Sequence, residues 1–196
     1  TAGEGSKRQQ LSVLKQQLPV SGPQLIPTAR ASAFAHDCRL LLLGCAWDCS
    51  LKIFRTAAPC TLLASVIYHR SAISCIGLSE REDVLVLGSR DTNVSQWSLP
   101  PSVGADGRPV ASLSLGTPQQ TYFEHAEEVT AVACNVDLDT VASASIDGTI
   151  VLHCLRTGTY VRTIAHASAR IGAGSYSFTE MSVTCKQGSI VAVATL

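Results

Sequence analysis

An all-β fold built from repeated four-stranded blades, a partial β-propeller, is what this 196-residue sequence specifies. The stretch from His69 to Trp97 (HRSAISCIGLSEREDVLVLGSRDTNVSQW) can be laid over the stretch from His125 to His153 (HAEEVTAVACNVDLDTVASASIDGTIVLH). His69 precedes Asp91 by the interval that separates His125 from Asp147, and a large ring, Trp97 or His153, follows each Asp at a common distance. An earlier copy, LLLGCAWDCSLKIF, keeps the second half of the pattern with Asp48 and Phe54. The local texture is that of strands: VLVL (84–87), TIVL (149–152), YVRTI (160–164) and SIVAV (189–193) are short, β-branched and bounded by Gly, Asp, Ser or Asn. Helical periodicity is nearly absent; LSVLKQQL (11–18) is the one candidate, and it reads equally well as a strand. Short, evenly spaced strands suit a sandwich, a barrel or a propeller. The long-period repeat selects the propeller.

The strands fall in fours. The first copy predicts them at 31–35, 40–45, 50–55 and 61–68, and the second at 72–79, 83–89, 93–99 and 120–124. The third predicts them at 128–135, 138–145, 149–155 and 159–165. After Ser175 a last partial copy (SYSFTEMSVTCKQGSIVAVATL) has room for two. Blades therefore run roughly 30–68, 69–124, 125–166 and, incomplete, 176–196, within a domain spanning 21–196. Residues 1–20 are expected to be disordered or loosely packed. Two segments interrupt the rhythm: 100–118, rich in Pro and Gly, predicts an enlarged loop on one face, and ASARIGAGS (167–175) a second break. No four-stranded sheet buries both of its faces alone, so blades stack. About three and a half blades would leave a strand edge and one apolar face open. The chain is accordingly expected to be a fragment of a longer, seven-bladed propeller.

Composition narrows the function. Fifteen basic residues balance fifteen acidic ones, which opposes nucleic-acid binding because that feeds on excess Lys and Arg. Apolar runs such as 40–44 and 84–87 are far shorter than the roughly 20 residues of a bilayer span, so no transmembrane segment is expected. The first residues, TAGEGSKRQQ, lack the apolar centre of a signal peptide, which points to the cytoplasm. Of the eight cysteines, Cys75, Cys134 and Cys154 sit in strand-like runs where a thiol acts as a small hydrophobe. Cys38, Cys45 and Cys49 stand near His36 but without paired C-x-x-C spacing. No metal and no cofactor are expected.

Asp48, Asp91 and Asp147 each fall between two predicted strands and precede small or polar residues, as a tight hairpin turn requires. A His on the neighbouring loop would donate to that carboxylate, a charge-assisted bond that ties the turn to the adjoining connection. This pattern resembles the WD-repeat family, whose repeats carry a His, a Ser or Thr, an Asp and a Trp in one network. His69, Asp91 and Trp97 match, with Leu87 at the hydroxyl position; His125, Ser143 and Asp147 match, with His153 in place of Trp. Asp48 with Phe54 has no matching His. The resemblance therefore implies incomplete networks and weaker coupling than in a full repeat.

The segments 47–54, 88–97 and 125–166, with the weak MSVTCKQGSIVAVA (181–194), are similar to the C-terminal propeller of BEACH-domain, neurobeachin-like proteins. The similarity covers about residues 30–195 and leaves the BEACH domain itself outside. It implies a cytoplasmic scaffold in vesicle traffic, lysosome-related organelles and membrane-protein sorting, with the propeller as a partner-binding platform and membranes met only through the parent protein. The residues just before the turn aspartates, Trp47, Arg90 and Ile146, would project from one face, and Trp and Arg are enriched at binding hot spots. Trp47 packing over its own turn, or Arg90 simply solvated, are the competing readings, and Glu127 with Glu128 would add an acidic rim. The function expected is a non-catalytic protein–protein scaffold. Two alternatives stand beside it: a WD-repeat subunit of another complex, such as a ubiquitin ligase or chromatin adaptor, and a propeller enzyme using Asp48, Asp91 and Asp147 around the axis.

Overall fold

The computed structural model describes residues 27–104, 107–165, 177–183 and 190–195. The stretches expected to be disordered (1–20), ambiguous (11–18) or a break (167–175) lie outside the described residues. Three four-stranded antiparallel sheets and one two-stranded sheet account for the regular structure, with no helix among the described residues. Blade one holds β1 (Pro27–Ala35), β2 (Leu40–Cys45), β3 (Ser50–Arg55) and β4 (Thr61–Ile67). Blade two holds β5 (Ile73–Leu78), β6 (Val84–Ser89), β7 (Val94–Ser98) and β8 (Gln120–Tyr122). Blade three holds β9 (Val129–Asn135), β10 (Thr140–Ser145), β11 (Thr149–Cys154) and β12 (Tyr160–Ala165). In the last copy β13 (Ser177–Val183) pairs with β14 (Ile190–Thr195).

Strand limits differ from expectation where the backbone turns left-handed. Glu82 (φ 57°) and Asp139 (φ 50°) close the turns ahead of β6 and β10, so β10 begins at Thr140 rather than at 138. β1 reaches back to Pro27, with an irregularity between Pro27 and Ser32, as expected of a strand that opens with a residue lacking an N–H. The turns between second and third strands share one device. The residue after the turn Asp is left-handed in all three blades: Cys49 (φ 55°), Thr92 (φ 72°) and Gly148 (φ 78°). Only glycine occupies that region without steric cost.

The first strands of successive sheets lie side by side, β1 against β5, β5 against β9 and β9 against β13. Blades therefore stack face to face, and the core is divided into the layers between them. Leu42, Leu51, Ile53, Leu63, Ile73, Leu85, Leu87 and Trp97 fill the layer between blades one and two. Cys75, Val86, Val94, Tyr122, Val129, Val132 and Val141 fill the next, with Cys134, whose thiol burial pushes up to about 12. The remaining face of blade three is built mostly of alanine: Ala131, Ala133, Ala142 and Ala144, with Ile150 and Leu152. Close approach depends on Gly88, where an added Cβ would lie 2.5 Å from Cys75 Sγ and 2.7 Å from Val129 Cγ1.

The 99–119 connection between β7 and β8 is more than an enlarged loop. Its Val103 and Pro109 bridge to form a small hairpin, and its Leu113 and Leu115 are buried in the layer between blades one and two. Leu113 N–H donates to Leu63 O at 3.0 Å, so the connection runs back across β4 of blade one before entering β8. The apolar residues responsible are isolated in a Pro- and Gly-rich sequence, and no period announces them.

Candidate functional site

In blade two a continuous chain of hydrogen bonds runs inward from the turn. Asp91 accepts from the backbone N–H of Arg70 (2.7 Å) and Asn93 (3.1 Å), and its two oxygens lie 3.1 and 3.2 Å from His69 Nδ1. His69 Nε2 meets Ser95 Oγ at 2.7 Å, and Trp97 Nε1 donates to the same oxygen at 2.8 Å. One proton arrangement satisfies every member: neutral His69 donates from Nδ1 to Asp91, Ser95 donates to Nε2, and Trp97 donates to Ser95. Burial pushes the His69 pKa down more than the Asp91 charge pushes it up. For Asp91, burial alone would raise the carboxyl, but the N–H groups of Arg70 and Asn93 and the His69 ring outweigh it and hold it low.

The hydroxyl corrects the expectation that this network is incomplete. Leu87 does occupy the expected position on β6, but its cross-strand partner on β7 is Ser95, which supplies the oxygen instead. In blade three the equivalent pair is Ser143 opposite Val151, with the polar and apolar residues exchanged between strands. The side chains of cross-strand partners share one face of the sheet, so either can reach the same histidine.

Blade three repeats the centre and changes the rim. His125 Nε2 meets Ser143 Oγ at 2.8 Å, while its Nδ1 stands 3.6 Å from Asp147 and 3.3 Å from Thr149 Oγ1. The Thr149 hydroxyl donates in turn to Asp147, so it bridges the longer gap. His153 is buried in the place of Trp97, packed at a tilt against Tyr122 with ring centroids 4.4 Å apart and edge-on to Tyr160 at 6.1 Å. Glu124 Oε2 lies 2.9 Å from His153 Nε2, and neither ring nitrogen has a hydrogen-bond partner among the described residues. Desolvation lowers the pKa of His153 against the opposing pull of Glu124. Tyr68 is the counterpart of Glu124, one residue before the histidine of its blade's network, and it meets Trp97 edge to face at 5.5 Å.

Blade one replaces the histidine with a lysine. Asp48 accepts from Ser50 N–H (3.1 Å) and Ser50 Oγ (2.6 Å), and the Lys52 ammonium bonds both Asp48 and Ser50 Oγ. Phe54 is buried apart from the turn, beside Leu41 and Leu43. Each of the three turn carboxylates is thus engaged by N–H groups of its own turn.

Trp47, Arg90 and Ile146 head these three turns at one end of the blades. Trp47 is 71% exposed and does not fold down over its turn. Arg90 is exposed but pairs with Glu128 of blade three, Nε to Oε1 at 3.1 Å, so the expected acidic rim and the arginine are one contact. Ile146 is half-buried, its N–H bonded to Glu128 O. At this end Phe123 is a further large exposed ring, at 67%, just after β8. Sequence reasoning passed over it, because a lone aromatic between two strands carries no pattern.

Residues 22–194 match the family model described as the Neurobeachin beta propeller domain. The chain belongs to this family. Two relatives are BEACH domain-containing protein B of Arabidopsis thaliana, 27% identical over 65% of this chain, and BEACH domain-containing protein lvsE of Dictyostelium discoideum, 28% identical over 52%. The chain spans only 5% and 4% of their lengths. Among solved structures, the RRP9 WD40 repeats superpose with a TM-score of 0.61 at 14% identity, over 88% of this chain and 52% of that one. The computationally designed Ika4 protein gives 0.60 at 20% identity, over 88% and 93%. These likenesses establish the fold, a WD40-type propeller architecture. Among the described residues no helix is long and apolar enough to cross a membrane.

Proposed function

We propose that this propeller is a non-catalytic protein-docking platform of a BEACH-type protein, working in the cytoplasm or peripherally on vesicle and organelle membranes in membrane traffic and protein sorting. The observation that carries the reading is Trp47: a large ring left 71% exposed at the head of a rigid hairpin, on the face that also presents Arg90 and Ile146. A side chain of that kind on a fixed scaffold loses little conformational freedom on binding and buries much apolar area, which is how hot-spot residues act. The turn carboxylates Asp48, Asp91 and Asp147 are committed to holding their own turns, which argues for scaffolding rather than acid–base chemistry.

The test is affinity capture with the wild-type chain and the Trp47→Ala/Arg90→Ala variant, followed by quantitative mass spectrometry. Partners should drop out of the variant sample while its far-UV circular dichroism is unchanged. Identical capture profiles would remove this patch from the reading.

A further inference from the structure

The end of blade one opposite Trp47 carries a cleft that the repeat motif does not explain. Leu40 begins β2 and pairs with Arg55 at the end of β3, so this rim is separated from the Trp47 turn by the full strand length, roughly 17–20 Å. The cleft has a volume of about 270 Å³. Arg39, Arg55 and Ala57 line it from blade one, and Ser102, Val103 and Pro109 from the 99–119 connection of blade two. The two sides are fixed to each other. Ser102 N–H donates to His36 Nδ1 at 3.1 Å, the Arg55 guanidinium donates to Val110 O, and Leu113 N–H donates to Leu63 O. His36 is tied in turn to Glu82 by its backbone N–H and its ring.

The corresponding connections in blades one and three are the short segments 56–60 and 155–159. A connection as long as 99–119 with little secondary structure is uncommon in a compact domain and is usually functional. Here it builds one wall of the cleft.

The lining is apolar with a basic rim. Leu40, which is buried, and the more accessible Ala57, Val103 and Pro109 supply the apolar wall, and no carboxylate lines the cleft among the described residues. Arg39 is exposed and makes no ion pair among the described residues, and Arg55 gives one guanidinium N–H to Val110 O. A guanidinium presents five donors in a planar fork suited to a carboxylate. The volume falls just under the range of roughly 300–1,000 Å³ typical of small-molecule pockets. That size favours one inserted side chain over a whole metabolite.

We propose that this cleft docks a linear segment of a partner protein, taking an apolar side chain into the slot and an adjacent carboxylate onto Arg39 and Arg55. The observation behind it is the juxtaposition of an apolar cavity with two arginines, built by a connection that, among the three described four-stranded blades, blade two alone possesses. It is a second docking surface, independent of the Trp47 face.

A genetically encoded random-peptide library panned on the full chain, followed by fluorescence polarisation of the recovered peptides, tests it. Expected are sequences that place Asp or Glu beside Leu, Ile or Phe. Arg39→Glu should weaken them by about tenfold or more, since it replaces attraction with repulsion. Ala57→Trp should fill the slot and weaken them similarly, while Trp47→Ala leaves them unchanged. Arg39 and Ala57 are exposed, so circular dichroism and melting temperature should stay at wild-type values for both variants. The proposal is overturned if no acidic-apolar motif emerges, if the recovered peptides respond to Trp47→Ala and not to Arg39→Glu, or if inorganic phosphate alone displaces them completely.

Discussion

Blades two and three share the same His-to-Asp interval and the same serine-to-histidine bond, yet they close the network differently. In blade two the ring at the end of the third strand is Trp97, whose N–H reaches Ser95 and whose face meets Tyr68. In blade three it is His153, which bonds no serine and instead faces Glu124 and two tyrosines. The residue before the network histidine has changed with the ring, from Tyr68 to Glu124, so the aromatic pair of one blade becomes a carboxylate set against an imidazole in the other. A repeat therefore fixes positions, and the chemistry at each position is settled by its immediate neighbour. Blade two packs its ring into a leucine-rich layer; blade three offers the last copy an alanine-rich face.

The largest expected effect breaks the network of blade two. Trp97→Ala removes a fully buried indole and should cost about 3–5 kcal/mol in urea unfolding, whereas His153→Ala should cost about 1–2 kcal/mol because that ring already carries an unpartnered nitrogen. Equal losses would show that the two blades depend on their rings alike. Gly88→Val comes next. Its side chain would collide with Cys75 and Val129, forcing blades two and three apart at a cost of about 1–3 kcal/mol or more, read as a lower melting temperature.

The serines sharpen the comparison. Ser95→Ala strands both His69 Nε2 and Trp97 Nε1, and Ser143→Ala strands only His125 Nε2. Each stranded buried group costs about 1–3 kcal/mol, so the first substitution should be clearly the more harmful.

A pH series separates the blades further. His69, His125 and His153 all have folded pKa values lowered mainly by burial, so the unfolded chain binds protons that the folded one refuses. Stability is then fully present above the ordinary histidine value of about 6.5 and falls as the pH drops below it. His153→Phe should flatten that fall, as measured by urea midpoints at several pH values between about 7.5 and 5. An unaltered slope would assign the effect to blade two and to His125. The smallest effect is a gain: Thr92→Gly relieves a β-branched residue at φ 72° and should stabilise blade two by about 1 kcal/mol.

Much of this architecture was legible from spacing. Strand positions followed from β-branched runs between turn residues, because alternate side chains must find the layers between blades whatever the details of packing. The interval from His69 to Asp91 likewise marks two groups that the fold brings into contact. Ser95 was not legible. A hydroxyl on β7 is equivalent to one on β6 only after the strands pair, and pairing is a fact of register. Lys52 escaped notice for the same reason, since its bond to Asp48 follows from the hairpin and from no motif.

By itself the sequence determined the all-β class, the blade count in the repeating region and the turn residues, because all of these are local or periodic and register in one dimension. Tertiary structure alone decided where the 99–119 connection goes, which ring meets which neighbour, and that a cleft opens beside Arg39 and Arg55. Each of those depends on side chains distant in the chain being brought within a few ångströms, and a linear pattern carries no record of such distances.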